Sequence, residues 1–207
     1  WGISLIEDAA ESLGSFYKGQ HTGTLGDFGA ISFNGNKIIT TGGGGIVLCK
    51  TLDSGARTKH VTTTAKVPHP YEFYHDEAGF NYRMPNLNAA LGCAQMEVLS
   101  EFVKNKRKLA HLYSDFFSGS EFKFVTEPDY AHSNYWLNAI ICPAPQVREA
   151  LLKETNEKGV MTRPIWQLMH RLPMYKNALK GDLTYSEYIE SHLVNIPSSP
   201  VKSLAEV

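Results

Sequence analysis

Short, unbroken apolar runs separated by glycine-rich turns fill the first 50 residues, at 3–6, 29–33 and 45–49. Runs of this kind suit strands buried on both faces, as in an α/β core. Between the first two, residues 9–14 predict a short helix, and a polar loop follows through Lys18, Gly19 and Gln20. Residues 51–85 keep neither period. Thr62, Thr63 and Thr64, Pro68 and Pro70, and the aromatics Tyr71, Phe73, Tyr74 and Phe80 read as an ordered loop with little regular structure. A loop of that length inside a compact domain usually serves function or an interface.

From Pro85 the spacing changes to threes and fours. Leu87, Leu91, Ala94, Val98 and Phe102, then Leu109, Leu112 and Phe116, predict one long helix, with Lys104, Lys106, Arg107 and Lys108 between them. At about 1.5 Å per residue it is roughly 45 Å long, enough to connect two domains, with Gly92 as a point of bending. Strand-like segments follow at 122–125, 135–142 and 160–164, around a helix near 146–158. Asn156-Glu157-Lys158-Gly159 reads as its stop, with the glycine in the left-handed cap. The expected organisation is a larger α/β part over 1–85, a connecting helix over 86–118 and a small α/β domain over 119–207.

Composition narrows the function more than the fold. Hydrophobic residues make up 43% of the 207, charged residues 20%, and the net charge is -1. That is an ordinary globular balance without the basic excess of a general nucleic-acid binder. No apolar run reaches membrane-spanning length, and the first residues lack the basic start and cleavage pattern of a signal peptide. Cys49, Cys93 and Cys142 are odd in number and fit neither a zinc spacing nor a disulfide framework. No metal site is expected, and the expected setting is reducing and cytoplasmic.

The candidate chemistry sits in the first 50 residues. Glu7-Asp8-Ala9-Ala10-Glu11-Ser12 follows the first apolar run, and Lys37 lies between Ser32-Phe33-Asn34-Gly35-Asn36 and Thr40-Thr41-Gly42-Gly43-Gly44-Gly45. Ligands of open α/β sheets bind beyond the carboxyl ends of strands, where Asp8 falls. The plainer reading is that Glu7 and Asp8 start a helix, where acids suit the dipole. A lysine taken at random is a solvated surface charge. Here Asn34-Gly35 suggests a tight turn, and Ser32, Thr40 and Thr41 offer hydroxyls to a phosphate. An acid at a strand end and a lysine among hydroxyls and glycines meet the needs of pyridoxal phosphate (PLP): an amine for the aldehyde and a carboxylate for the pyridine nitrogen. A nucleotide loop fits less well, since the glycine run leads into Ile46-Val47-Leu48, a strand rather than a helix.

These segments, with Phe80-Asn81-Tyr82-Arg83-Met84, occur in an order that closely resembles the DegT/DnrJ/StrS family of PLP-dependent sugar-nucleotide aminotransferases. The resemblance covers essentially the whole chain. It implies the C-terminal part of a type I PLP-transferase large domain with a mainly parallel sheet, a long connecting helix and a small α/β domain. Lys37 matches the lysine that bonds to the cofactor and shuttles the proton, and Asp8 the partner of the pyridine nitrogen. Glu11 falls near the ring hydroxyl, where many relatives carry glutamine, and Ser32 matches a phosphate ligand. Asn81 and Arg83 match residues reaching across a homodimer, to the cofactor phosphate and towards the sugar nucleotide; otherwise they form a surface turn. His170 and Tyr175, in the segment from Arg163 to Tyr175, match substrate-facing positions near the sugar or its diphosphate.

The wording of that last segment is most similar to the branch that aminates 4-keto-6-deoxy sugars, with glutamate or another amino acid as donor. The lysine sets the chain apart from the deoxygenating branch, which carries histidine there. Relatives have a long segment ahead of residues 3–6, with the glycine-threonine turn for the phosphate and an aromatic that stacks on the ring, and they end in a further helix. The chain is therefore expected to be truncated. A non-catalytic fragment and a regulatory protein on the same fold stay open beside the enzyme.

Overall fold

The computed structural model describes residues 2–200. Elements run in the order β1 (Ile6–Asp8), β2 (Phe16–Tyr17), β3 (Gln20–His21), β4 (Phe28–Ser32), β5 (Gly45–Cys49), α1 (Leu52–Thr62), β6 (Lys66–Val67), β7 (Tyr74–His75), α2 (Asn86–Glu97), α3 (Leu99–Phe117), β8 (Lys123–Phe124), β9 (Ala131–His132), β10 (Asn138–Ile141), α4 (Pro145–Glu157), β11 (Arg163–Pro164), α5 (Thr184–His192) and β12 (Leu193–Ile196). Single 3-10 turns lie at Met169–Arg171 and Pro173–Tyr175. The described residues divide into two compact units: 2–103 with Pro128–Asn134, and Lys104–Glu127 with 135–200.

In the first unit the sheet order is β1-β4-β5. β1 runs parallel to β4, with Ile6 opposite Phe28 and Asp8 opposite Ala30. β5 runs antiparallel to β4, with Phe28 opposite Cys49 and Ser32 opposite Gly45. The sheet expected to be mainly parallel is therefore mixed over these three strands. Residues 33–44 join β4 to β5 through turns that reverse the chain, so β5 returns antiparallel beside β4. Burial on both faces is also not met: Gly29 and Ile31 of β4 are buried, while Ile6 of β1 is 69% exposed and Ile46 and Val47 of β5 nearly half exposed.

The helix expected at 9–14 is a series of turns. Ser12 N–H donates to Ala9 O at 3.1 Å and Ser15 N–H to Ser12 O at 2.8 Å. Helix propagation fails because other groups take its partners: Asn134 Nδ2 donates to the carbonyls of Glu11 (2.8 Å) and Leu13 (2.9 Å), and Gly14 stands at φ +84°. The β2–β3 hairpin follows, paired on its other side with β9.

Residues 51–85 also differ from expectation, since they contain the helix α1. Its signal was a cap rather than a period. Thr51 Oγ1 accepts from Ser54 N–H (3.1 Å) while Ser54 Oγ accepts from Thr51 N–H (3.2 Å). No residue of α1 is buried, so no apolar stripe announced it. The single long helix is two, α2 and α3, parted at Val98, where φ -112° and ψ 8° leave the helical range. α2 runs unbroken through Gly92. That glycine is buried against Thr41, whose Cγ2 would lie 2.9 Å from an added Cβ.

The second unit is built on an antiparallel sheet ordered β11-β12-β10-β8. Its core is Ile140, Cys142, Val194 and Ile196, packed by Tyr113 and Phe117 of α3, by Phe122 and Phe124, and by Val147, Leu151 and Leu152 of α4. Gly159 takes the left-handed cap after α4, as expected, at φ +78°. The sequence reading did not find β12, although it pairs with both β10 and β11 at the centre of this sheet.

Lys106 of α3 is 5% exposed and donates to Trp136 O at 3.1 Å and Ser198 O at 2.6 Å. Burial pushes its pKa down to about 8.

Two outcomes are expected. Replacing Ile140 with alanine lowers unfolding stability by about 2–5 kcal/mol in a denaturant titration, because a 2% exposed side chain leaves a cavity. The Lys106 amine releases its proton at about 8 when folded and near 10.5 when unfolded, so the unfolded chain binds more protons across that window. Stability therefore rises with pH between those values, opposed near the top by the raised pKa of the half-buried Tyr113. The Lys106→Met variant loses that rise in unfolding titrations at successive pH values.

Candidate active site at the carboxyl ends of the parallel strands

Successive residues of a strand face opposite sides, and at the end of β1 this divides two acids between two tasks. Glu7 turns to the loop before β4. Its Oε1 accepts from Leu25 and Gly26 N–H, both at 2.6 Å, and its Oε2 from Gly23 N–H at 2.8 Å. Burial alone would raise its pKa, but the three amides and the His21 ring nearby hold the carboxyl below its ordinary range. Asp8 is exposed at the strand end, where its Oδ1 accepts from Ala10 N–H at 3.2 Å.

Because β1 and β4 are parallel, their carboxyl ends coincide. Asp8 is opposite Ala30, and Ser32 stands two residues further along β4. Ser32 Oγ accepts from Asn34 N–H at 3.2 Å. The Asn34-Gly35 turn forms as expected, closed by Lys37 N–H to Asn34 O at 3.1 Å. It returns Lys37 to the acids: the Lys37 side chain, only 11% exposed, makes an ion pair with Glu11. Asn134 fixes the Glu11 backbone, as described above.

The glycine-rich segment after Lys37 is pinned from α2. Gln95 Oε1 accepts from Thr40 N–H at 2.7 Å, and Asn88 Nδ2 donates to Thr41 O at 2.5 Å. Thr41 is buried, with its hydroxyl turned to Gly43 O, and Thr40 Oγ1 donates to Phe33 O.

Asn81 and Arg83 lie in the same unit, after α1, where Asn81 bridges Thr63. They line an open cleft of about 1350 Å³ that runs along β5 and α1. Ser32 and Ala10 also line it, whereas Lys37, Asp8 and Glu11 do not. His170 and Tyr175 belong to the second unit. The His170 side chain is 14% exposed, with Nε2 3.7 Å from Glu187 Oε1, and Tyr175 is 44% exposed in the second 3-10 turn. His60, Asp76 and Glu77 group their ligand atoms, but Arg57 pairs with Glu77 and the group reads as an ion network on α1.

Sequence reasoning missed the residues that hold the site: Glu7, Asn134, Gln95 and Asn88. Glu7 could have been found from its position beside Asp8. The others act over distances of 47 to 123 residues, for which a single sequence carries no local signal. Replacement of Glu7 by glutamine is expected to speed amide exchange at Gly23, Leu25 and Gly26. The depressed Glu7 pKa supports the loop above the ordinary carboxyl value of 4.5, and the support is lost as pH falls through the lower folded value. That acid-side loss disappears in the variant.

Known proteins match this arrangement. The family model for the DegT/DnrJ/EryC1/StrS aminotransferase family matches residues 1–207. GDP-perosamine synthase of Escherichia coli O157:H7 is 35% identical over 210 residues, covering 99% of this chain and 56% of that protein. GDP-perosamine synthase of Vibrio cholerae is also 35% identical, over 96% of this chain and 55% of its own length. Among solved structures, the aminotransferase TlmJ of Streptoalloteichus hindustanus matches with a TM-score of 0.90 and 25% identity, covering 99% of this chain and 56% of that one. The chain thus spans about half the length of the curated relatives it matches. With the model matching from end to end, the chain belongs to the DegT/DnrJ/EryC1/StrS aminotransferase family, whose members are PLP-dependent sugar aminotransferases.

Proposed function

We propose that the protein containing these residues moves an amino group from glutamate to a nucleotide-linked keto sugar, a 4-keto-6-deoxyhexose. The observation that carries this reading is the cluster at the carboxyl ends of β1 and β4: the Lys37–Glu11 pair, with Asp8 and Ser32 at the strand ends beside it. The donor set fits PLP, supplying an amine for the aldehyde, a carboxylate for the pyridine nitrogen and a hydroxyl for the phosphate. When bound, PLP supplies a conjugated ring that accepts the electron pair left behind as a proton departs.

The chain's own residues then have separable tasks. Lys37 anchors the cofactor through its side-chain nitrogen. With its amine free, Lys37 Nζ would be the group that takes up and gives back a proton at the reacting carbons. Glu11, paired with Lys37, would hold that amine in place and lie near the ring hydroxyl. Asp8, as a carboxylate at a strand end, holds the ring nitrogen protonated. Ser32 and Asn81 take the phosphate, Asn81 from a second copy of the chain, and Arg83 reaches the sugar nucleotide across the same homodimer. His170 and Tyr175 bind the sugar or its diphosphate.

A cytoplasmic location accompanies this reading. No described helix is long and apolar enough to cross a membrane.

A second reading, a non-catalytic chain, rests on the apolar side chains left open on the sheet: Ile3, Leu5 and Ile6 around β1, and Leu52 after β5, are 57% to 93% exposed. Cofactor binding separates the two. Added PLP is expected to give a visible absorbance band that Lys37→Ala abolishes. Arg83→Ala is expected to keep the band and to raise KM for the sugar nucleotide by about tenfold or more, the loss of one charged hydrogen bond. An unchanged KM removes Arg83 from the site, and an absent band in the parent chain favours the non-catalytic reading.

A further inference from the structure

The second unit carries two tryptophans in contact. The rings of Trp136 and Trp166 are stacked, with centroids 6.3 Å apart and planes 18° from parallel. Trp136 is partly buried, and Trp166 is 67% exposed. The two indoles are therefore stacked with a lateral offset, and most of Trp166 is open to solvent.

Neither ring sits on a loose tether. Trp136 is held by its carbonyl, which accepts from the buried Lys106. Trp166 follows β11 by two residues. That strand is paired to β12 through Pro164 opposite Val194, and Asn195 Nδ2 adds a bond to Pro164 O at 3.4 Å. Leaving a large indole in water is unfavourable unless something covers it, and a fixed, flat, open aromatic face matches a planar π-system better than a rounded aliphatic chain.

We propose that Trp166, backed by Trp136, is the platform on which the nucleobase of the nucleotide-linked substrate stacks. This rests on the proposed function, since it names a group that holds the nucleotide-linked substrate. The sugar and the base are both moieties of such a substrate, and the chemistry here favours the base: aromatic-on-aromatic stacking is tolerant of base identity and strong enough to set affinity. Trp136 acts as a positioning residue, holding the outer ring flat.

Calorimetric titration of the whole chain with GDP and UDP tests this, with Trp166→Ala, Trp166→Phe and Trp136→Leu beside the parent, and with ribose 5-phosphate and a methyl hexoside as base-free ligands. Trp166→Ala is expected to weaken GDP and UDP binding by about tenfold to a hundredfold. Trp166→Phe, which keeps an aromatic face, is expected to restore most of it. Trp136→Leu is expected to give an intermediate loss, and ribose 5-phosphate to bind alike in all four proteins. Equal GDP affinity in parent and Trp166→Ala overturns the proposal. So does an absence of GDP and UDP binding by the parent, or a loss that appears equally with the hexoside.

Labelling of Lys37 by PLP is scored separately on the same preparations. Labelling without nucleobase stacking defeats only this inference, and stacking without labelling defeats only the transaminase reading.

Discussion

Everything at the candidate site depends on β1 and β4 running parallel. Parallel neighbours share one carboxyl end, so an acid closing one strand and a hydroxyl closing the next arrive together. That arrangement needs a long connection, and here residues 9–27 supply it without a crossover helix. Glu7 makes the return possible. Its carboxylate satisfies three amides of the loop just ahead of β4, which would otherwise face the strand unpaired. The adjacent Asp8, on the opposite face of β1, is left exposed at the strand end. One Glu-Asp step thus ties down a loop on one face of the strand and presents an open carboxylate on the other.

The second unit meets a different constraint. Its four short strands are antiparallel, and they gain stability from side chains on α3 and α4 more than from length. An aromatic layer of Tyr113, Phe117, Phe122 and Phe124 lies over Ile140 and Val194. Into this the chain also sets a buried lysine, whose burial opposes its charge while its bonds to Trp136 O and Ser198 O tie α3 to the end of the sheet where β10 begins and β12 finishes. The same tie steadies the backbone beneath the tryptophan pair.

What could be read from the sequence follows from how local each signal is. β4, β5 and α4 are contiguous runs with turn residues at their ends, and their positions were legible to within a residue or two. The Asn34-Gly35 turn and the Gly159 cap were legible because both depend on a few adjacent residues. α1 was not, because it buries nothing and its only signal is the Thr51–Ser54 cap. The false helix at 9–14 fails through Asn134, more than a hundred positions away. The mixed sheet was hidden for a related reason: the direction of β5 is set by the path of residues 33–44 and not by its own Ile-Val-Leu run. At the site, Asp8, Glu11, Ser32 and Lys37 were legible as a motif order. Their supports, Gln95, Asn88 and Asn134, were not, since a side-chain amide that bonds a distant backbone has no characteristic spacing.

The proposed function requires Lys37, held by Glu11 at the carboxyl ends of β1 and β4, to react with PLP ahead of the exposed lysines. Borohydride reduction of the chain with substoichiometric PLP, followed by peptide mapping, tests it most directly. The account predicts one dominant reduced adduct, on the peptide carrying Lys37, that is lost when Glu11 and Asp8 are both replaced by alanine. Adducts spread over exposed lysines such as Lys50, Lys153 and Lys158, with Lys37 no more labelled than they are, would contradict it.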